Sequence, residues 1–143
     1  MINILIAISV FSMFDYIGFN TIGQKNLILY RITQNLFLIS LAIGLYFLTG
    51  LISSICFLLL FWFWIADLIY YFFYDTLKWY GGDYAGKAFK SEVLGNNVVW
   101  SWWTPYGLIF RYFQGKKNMP ISGRILILQA IVGIVIVIGV NYL

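Results

Sequence analysis

Residues 125–143 (ILILQAIVGIVIVIGVNYL) contain no charged side chain. At about 1.5 Å per helical residue, such a run is about 28 Å long, close to the roughly 30 Å hydrocarbon core of a bilayer. Three further apolar runs precede it, at residues 2–19, 27–48 and 51–77. The 143 residues are 62% hydrophobic and 10% charged, whereas roughly 25% of a soluble domain is charged. A chain this apolar cannot hide its surface from water. In hydrocarbon the backbone must satisfy its own hydrogen bonds, which favours helices. The expected fold is therefore an all-α integral membrane protein. Residues 1–143 form one membrane domain, with four transmembrane helices at the four runs and a Trp-rich interfacial (or re-entrant) helical segment at 98–114.

Residues 2–19 lack the positive start and small-residue cleavage site of a secretory signal peptide, so they read as a retained first helix. Residues 20–26 (NTIGQKN) make a short polar turn. The second run is interrupted by Arg31, Thr33, Gln34, Asn35 and Ser40. Thr49 and Gly50 give the one plausible break before the third run, which predicts a tight helical hairpin. The third run ends in IADLIYYFFYDTLKWY, whose aromatic residues suit a membrane–water boundary. A glycine-rich polar stretch and, after residue 114, a basic connector (GKKNMPISGR) complete the pattern.

Residues 98–114 (VVWSWWTPYGLIFRYFQ) hold three of the six tryptophans. If this segment stays on the surface, all nine basic residues fall on one side: Lys25, Arg31, Lys78, Lys87, Lys90, Arg111, Lys116, Lys117 and Arg124. If it crosses, they split five against four. The bias of Lys and Arg toward the inner side favours the first arrangement. Both termini then lie outside, and the basic loops face the cytoplasm or matrix of a bacterial inner or organellar inner membrane. Thr104 and Pro105 suit an N-cap followed by a first-turn proline. The helix they start carries Tyr106, Ile109, Phe110 and Phe113 on one face, the pattern of an interfacial helix. Trp100, Trp102, Trp103 and Arg111 are its expected anchors. Lys87, Lys90, Lys116, Lys117 and Arg124 are expected to meet anionic headgroups.

The hairpin geometry brings charges together. In antiparallel helices joined at 49–50, residues whose numbers sum to about 99 share a depth, which puts Arg31 level with Asp67. The first turn similarly puts Asp15 opposite Arg31. Charges in spanning helices cost about 2.5–3.5 kcal/mol each at the centre and usually face partners or water. Asp15, Arg31 and Asp67 therefore read as an intramembrane charge cluster, in the first instance an ion-pair lock between helices. Tyr71, Asp75 and Lys78 continue one polar face below Asp67. Ser40 with Gly44, and Ala130 with Gly133, offer small-residue packing faces.

The remaining chemistry is sparse. The chain has no histidine and one cysteine, Cys56. That removes histidine-ligated haem, histidine-assisted hydrolysis and internal disulfides. Residues 81–88 (GGDYAGKA) match a phosphate-binding loop up to Ala88, which replaces the magnesium-holding hydroxyl; the context is a membrane helix, not a strand. No nucleic-acid signature is present. No cofactor or metal is expected. The expected partners are the bilayer and either other membrane proteins or further copies of this chain. These features fit a non-catalytic structural or accessory subunit of a membrane complex. The alternatives are a small oligomeric channel or transporter that uses the Asp/Arg cluster, and a membrane enzyme acting on lipid through Asp67 or Asp75.

Overall fold

In the computed structural model, residues 1–77, 89–99, 101, 103–115 and 120–142 are described. Their regular structure is helical, with one isolated antiparallel bridge between Val98 and Ile121. The helices are α1 (Ile2–Gly18), α2 (Leu27–Thr49), α3 (Leu51–Trp62), α4 (Ile65–Leu77), α5 (Pro105–Gln114) and α6 (Gly123–Tyr142). A π-helical turn, Phe19–Gly23, extends α1, and a second one covers Phe89–Val93. Asn26 caps α2 by accepting from the Leu29 N–H at 3.0 Å. Gly50 ends it at φ 94°, a backbone region open to glycine and rarely to other residues. The Ser54 hydroxyl then donates to Ala42 O at 2.8 Å and ties the α2–α3 hairpin together.

The run 51–77, expected as one helix, is two. α3 and α4 meet at a bend of 63°. No glycine or proline marks the break. Instead Trp64 takes φ 76°, a conformation that is strained for a bulky side chain by about 1–3 kcal/mol. Its surroundings hold it there. The indole is fully buried, and its N–H donates to Ser101 Oγ at 2.7 Å. Next to it, the Trp62 indole donates to Trp103 O at 3.1 Å, and Phe61 stacks on Trp103 at 4.7 Å. Tertiary contacts with the Trp-rich stretch thus override an uninterrupted helical pattern.

Three helical stretches are long and apolar enough to cross a membrane: Ile2–Gly23, Leu27–Thr49 and Gly123–Asn141. The bent pair α3–α4 makes a fourth if it counts as one span. α1 packs against α2, α3 and α4. α6 runs antiparallel to α3, with Gly133 beside Phe63 and the Asn141 amide 3.5 Å from Cys56 Sγ. One apolar core, including Ile8, Phe11, Phe57 and Leu60, fills the space between α1, α2, α3 and α6. A second, around Trp64, Tyr71, Val93, Val98 and Leu126, sits beneath the break.

In the Trp-rich stretch a helix starts at Pro105, as the Thr104 and Pro105 pair predicts, and the Thr104 hydroxyl oxygen accepts from the Gly107 N–H at 3.2 Å. Among the described residues of the stretch the helix covers 105–114, about 15 Å in length and too short to span a bilayer. Ser101 and Thr104 are fully buried. The expected face of α5 divides: Tyr106 and Phe110 pack on the second core, while Ile109 and Phe113 point outward. Among the described residues nothing packs on the face of Ser40 and Gly44: the exposed Ser40 hydroxyl turns back to Leu36 O, and a Cβ at Gly44 would meet nothing within 4 Å. Ala130 and Gly133, by contrast, are buried.

A Cβ on Gly133 would lie 2.5 Å from the Phe63 Cβ. Gly133→Val should therefore force α6 away from the break and cost about 1–3 kcal/mol, read as a lowered Tm in detergent. Gly139→Ala, where a Cβ meets nothing within 4 Å, should leave Tm unchanged.

Candidate functional site

Several buried polar groups of the helical body collect on α1 and on the stretches of α2 and α4 that pack against it. α1 brings Ser12, Asp15 and Tyr16 on one face, at i, i+3 and i+4. α2 brings Tyr30 and Gln34, one turn apart, and both are buried. α4 brings Asp67 in its first turn, followed by Tyr70, Tyr71 and Tyr74. The Ser12 hydroxyl lies 2.8 Å from Ala66 O, which pins α1 against the start of α4.

Asp15 is 7% exposed, and two donors converge on its Oδ1. These are the Tyr30 hydroxyl and the Gln34 amide, the latter at 2.5 Å. The Gln34 carbonyl oxygen in turn accepts from Arg31 Nη1 at 2.9 Å. Arg31 itself is exposed, with its guanidinium carbon 5.4 Å from the centroid of the Tyr30 ring. Among the described residues no ion pair joins Arg31 to Asp15 or Asp67. The expected lock is thus replaced by an amide relay, because Arg31 sits on the outer side of α2 and Gln34 on the inner side.

Asp67 is the contrasting member. It is 8% exposed, and its Oδ2 is buried with no hydrogen-bond partner. It stands within electrostatic reach of Asp15 and Arg31. Beside it the rings of Tyr16, Tyr70 and Tyr74 form a cluster with centroids 5.8–6.1 Å apart.

One turn further along α4, Tyr71 is buried and its hydroxyl donates to Glu92 Oε2 at 2.6 Å. Asp75 Oδ2 accepts from the Phe89 N–H at 3.3 Å, while its Oδ1 is buried without a partner. Glu92 is half-buried. Sequence reasoning passed it over, because an acidic residue between Lys90 and the polar turn at 95–97 reads as a solvated charge. Gln34 and Tyr30 were passed over for a similar reason, as isolated polar residues in a helix that also carries Arg31.

Of the basic and aromatic residues expected at the membrane boundary, Lys90, Trp103, Arg111 and Arg124 are among the described residues. Lys90 and Arg124 are exposed, and Arg111 is half-buried. Trp103 is half-buried against Phe61. Lys78, Lys87, Trp100, Trp102, Lys116 and Lys117 lie outside the described residues. Among the described residues, no group of three or more His, Cys, Asp or Glu side chains could hold a metal ion.

These features define an all-helical protein with three to four candidate membrane spans and a buried layer of two carboxyl groups. No protein-family model, curated protein or solved structure matches the chain.

The layer makes an ordered set of stabilities. Gln34→Leu should cost about 1–3 kcal/mol, since it leaves Asp15 short of a donor. Arg31→Gln should cost less than about 1 kcal/mol, as expected of an exposed charge. Asp67→Asn should hold or raise Tm, because it replaces an unpartnered buried carboxyl by a neutral group of the same shape. Thermal unfolding of the three variants in one detergent checks the order.

Proposed function

We propose that this chain is a small integral membrane protein that binds and passes protons or small cations at the Asp15–Asp67 layer. The observation that carries this reading is Asp67 Oδ2, buried without a donor next to a second buried carboxyl. A carboxylate in such a place is costly unless it takes up a proton or a cation, and a group built only for packing has no need of the charge. Asp67 also stands in the first turn of α4, immediately after the break. Breaks inside a span are where membrane transporters place ion sites; here the C-terminal end of α3, which carries partial negative charge and suits a cation or proton, lies at the same break.

The arrangement in the bilayer follows from the same elements. α1, α2, the bent α3–α4 pair and α6 cross. α5 lies in the boundary region, with Tyr112 and Phe113, 84% and 80% exposed, dipping into lipid. Lys90, Arg111 and Arg124 belong to the headgroups of the inner leaflet.

A second reading, an accessory subunit in a larger complex, draws on α2. Arg31 and Asn35 point outward from a helix whose other exposed residues are mostly apolar. Polar groups facing outward from a span favour a protein neighbour.

Reconstitution into liposomes containing a pH-sensitive dye tests the first reading. With a membrane potential imposed, the wild type should acidify or alkalinise the lumen, or carry sodium or potassium measured by isotope. Asp67→Asn should reduce that flux at least tenfold while eluting as the same species on size exclusion. Equal flux from wild type, Asp67→Asn and empty liposomes would remove the transport reading.

A further inference from the structure

Resting on that reading, we infer that the cargo is the proton and that it reaches or leaves Asp67 through the hydroxyl of Tyr71 and the carboxyl of Glu92. The three groups form a line from the interior toward the surface. Asp67 is buried, Tyr71 is 3% exposed, and Glu92 is half-buried. Asp67 and Tyr71 are i and i+4 on α4, so their Cβ atoms are about 6 Å apart. Helical side chains lean toward the helix N-terminus, which carries the phenol of Tyr71 over the turn that bears Asp67. The far end of the line is already joined, by the 2.6 Å bond from the Tyr71 hydroxyl to Glu92 Oε2. The near end is open, because Asp67 Oδ2 has no bond to break before it turns toward Tyr71.

The transfer balances without any outside reagent. The Asp67 carboxyl gives its proton to Tyr71 Oη as the Tyr71 hydroxyl proton passes to Glu92 Oε2. One O–H bond breaks and one forms at each step, Tyr71 ends neutral, and Glu92 releases the proton to water. Rotation of the hydroxyl resets the line. The packing excludes a larger cargo along this path. Trp64, Val93, Val98 and Leu126 surround Tyr71 and are all fully buried, so no hydrated cation passes between them. A hydroxyl bonded to one carboxyl and one helical turn from another carries protons alone.

Glu92 therefore acts as the group exchanging protons with water, and Tyr71 as the link. Two substitutions separate this from a role in packing. Glu92→Gln keeps an acceptor oxygen for Tyr71 and so keeps the bond, but cannot carry the proton. Tyr71→Phe keeps the ring and removes the hydroxyl. Proton flux into dye-loaded liposomes should fall at least tenfold in both, and Glu92→Asp should restore most of the loss. Sodium and potassium fluxes should equal those of empty liposomes for every variant. The inference is overturned if Asp67→Asn stops the flux while Glu92→Gln and Tyr71→Phe leave it intact, or if isotope counting finds sodium or potassium carried. Those two results would leave the Asp67 site standing. Flux unaffected by Asp67→Asn would remove the site and the relay together.

Discussion

The indole of Trp64, fully buried and bonded through its N–H to the Ser101 hydroxyl at 2.7 Å, is the contact on which the rest of the structure turns. It holds a bulky residue at positive φ, ends α3 and lets α4 leave at an angle. The strain of that conformation is about 1–3 kcal/mol, within reach of a buried hydrogen bond and a large aromatic burial acting together. Without the break, Asp67 would lie mid-helix with its backbone neighbours fully paired. With it, Asp67 falls in the first turn of a new helix, and the start of that helix is pressed against α1 by Ser12.

The same break divides labour between the two cores. Above it, side chains of α1, α2, α3 and α6, mostly aliphatic and phenylalanine, interlock, and the buried Ser54 hydroxyl is satisfied by Ala42 O. Beneath it, tyrosines line α4 and meet the 89–93 turn, and a carboxyl or hydroxyl recurs at each turn of the helix. Two carboxyls in one layer could have been made inert by giving each its donors. Asp15 receives two, from Tyr30 and Gln34. Asp67 receives none at Oδ2. That asymmetry, between neighbours of the same chemical type, is the ground on which exchange is proposed at Asp67 and a holding role at Asp15.

Much of the helical frame could be read from the residues. Gly50 marked the hairpin, Thr104 and Pro105 marked the start of α5, and apolar runs of bilayer length marked α1, α2 and α6. Those signals are local: a cap, a turn, a stretch of hydrocarbon. The break at Trp64 was invisible because its cause lies 37 residues away, at Ser101. The hairpin had put Asp67, and the first turn Asp15, at the depth of Arg31, and depth is what a residue sum provides. Which way a side chain faces around its helix is a separate quantity. Arg31 proved to face outward and Gln34 inward, so the amide took the place of the expected ion pair. Glu92 was hidden in a short polar turn whose docking onto α4 no periodicity reports.

The central claim is that Asp67 is a buried carboxyl that exchanges protons from within an apolar setting. A lipid-soluble carbodiimide, which attacks carboxyl groups in their acid form, tests it directly when applied to the protein in native membranes, with the modified residue located by peptide mass spectrometry. The account predicts adduct at Asp67 and protection of Asp67 from a water-soluble, membrane-impermeant carbodiimide. Absence of adduct at Asp67, alongside labelling of other acidic residues by the same lipid-soluble reagent, would contradict it.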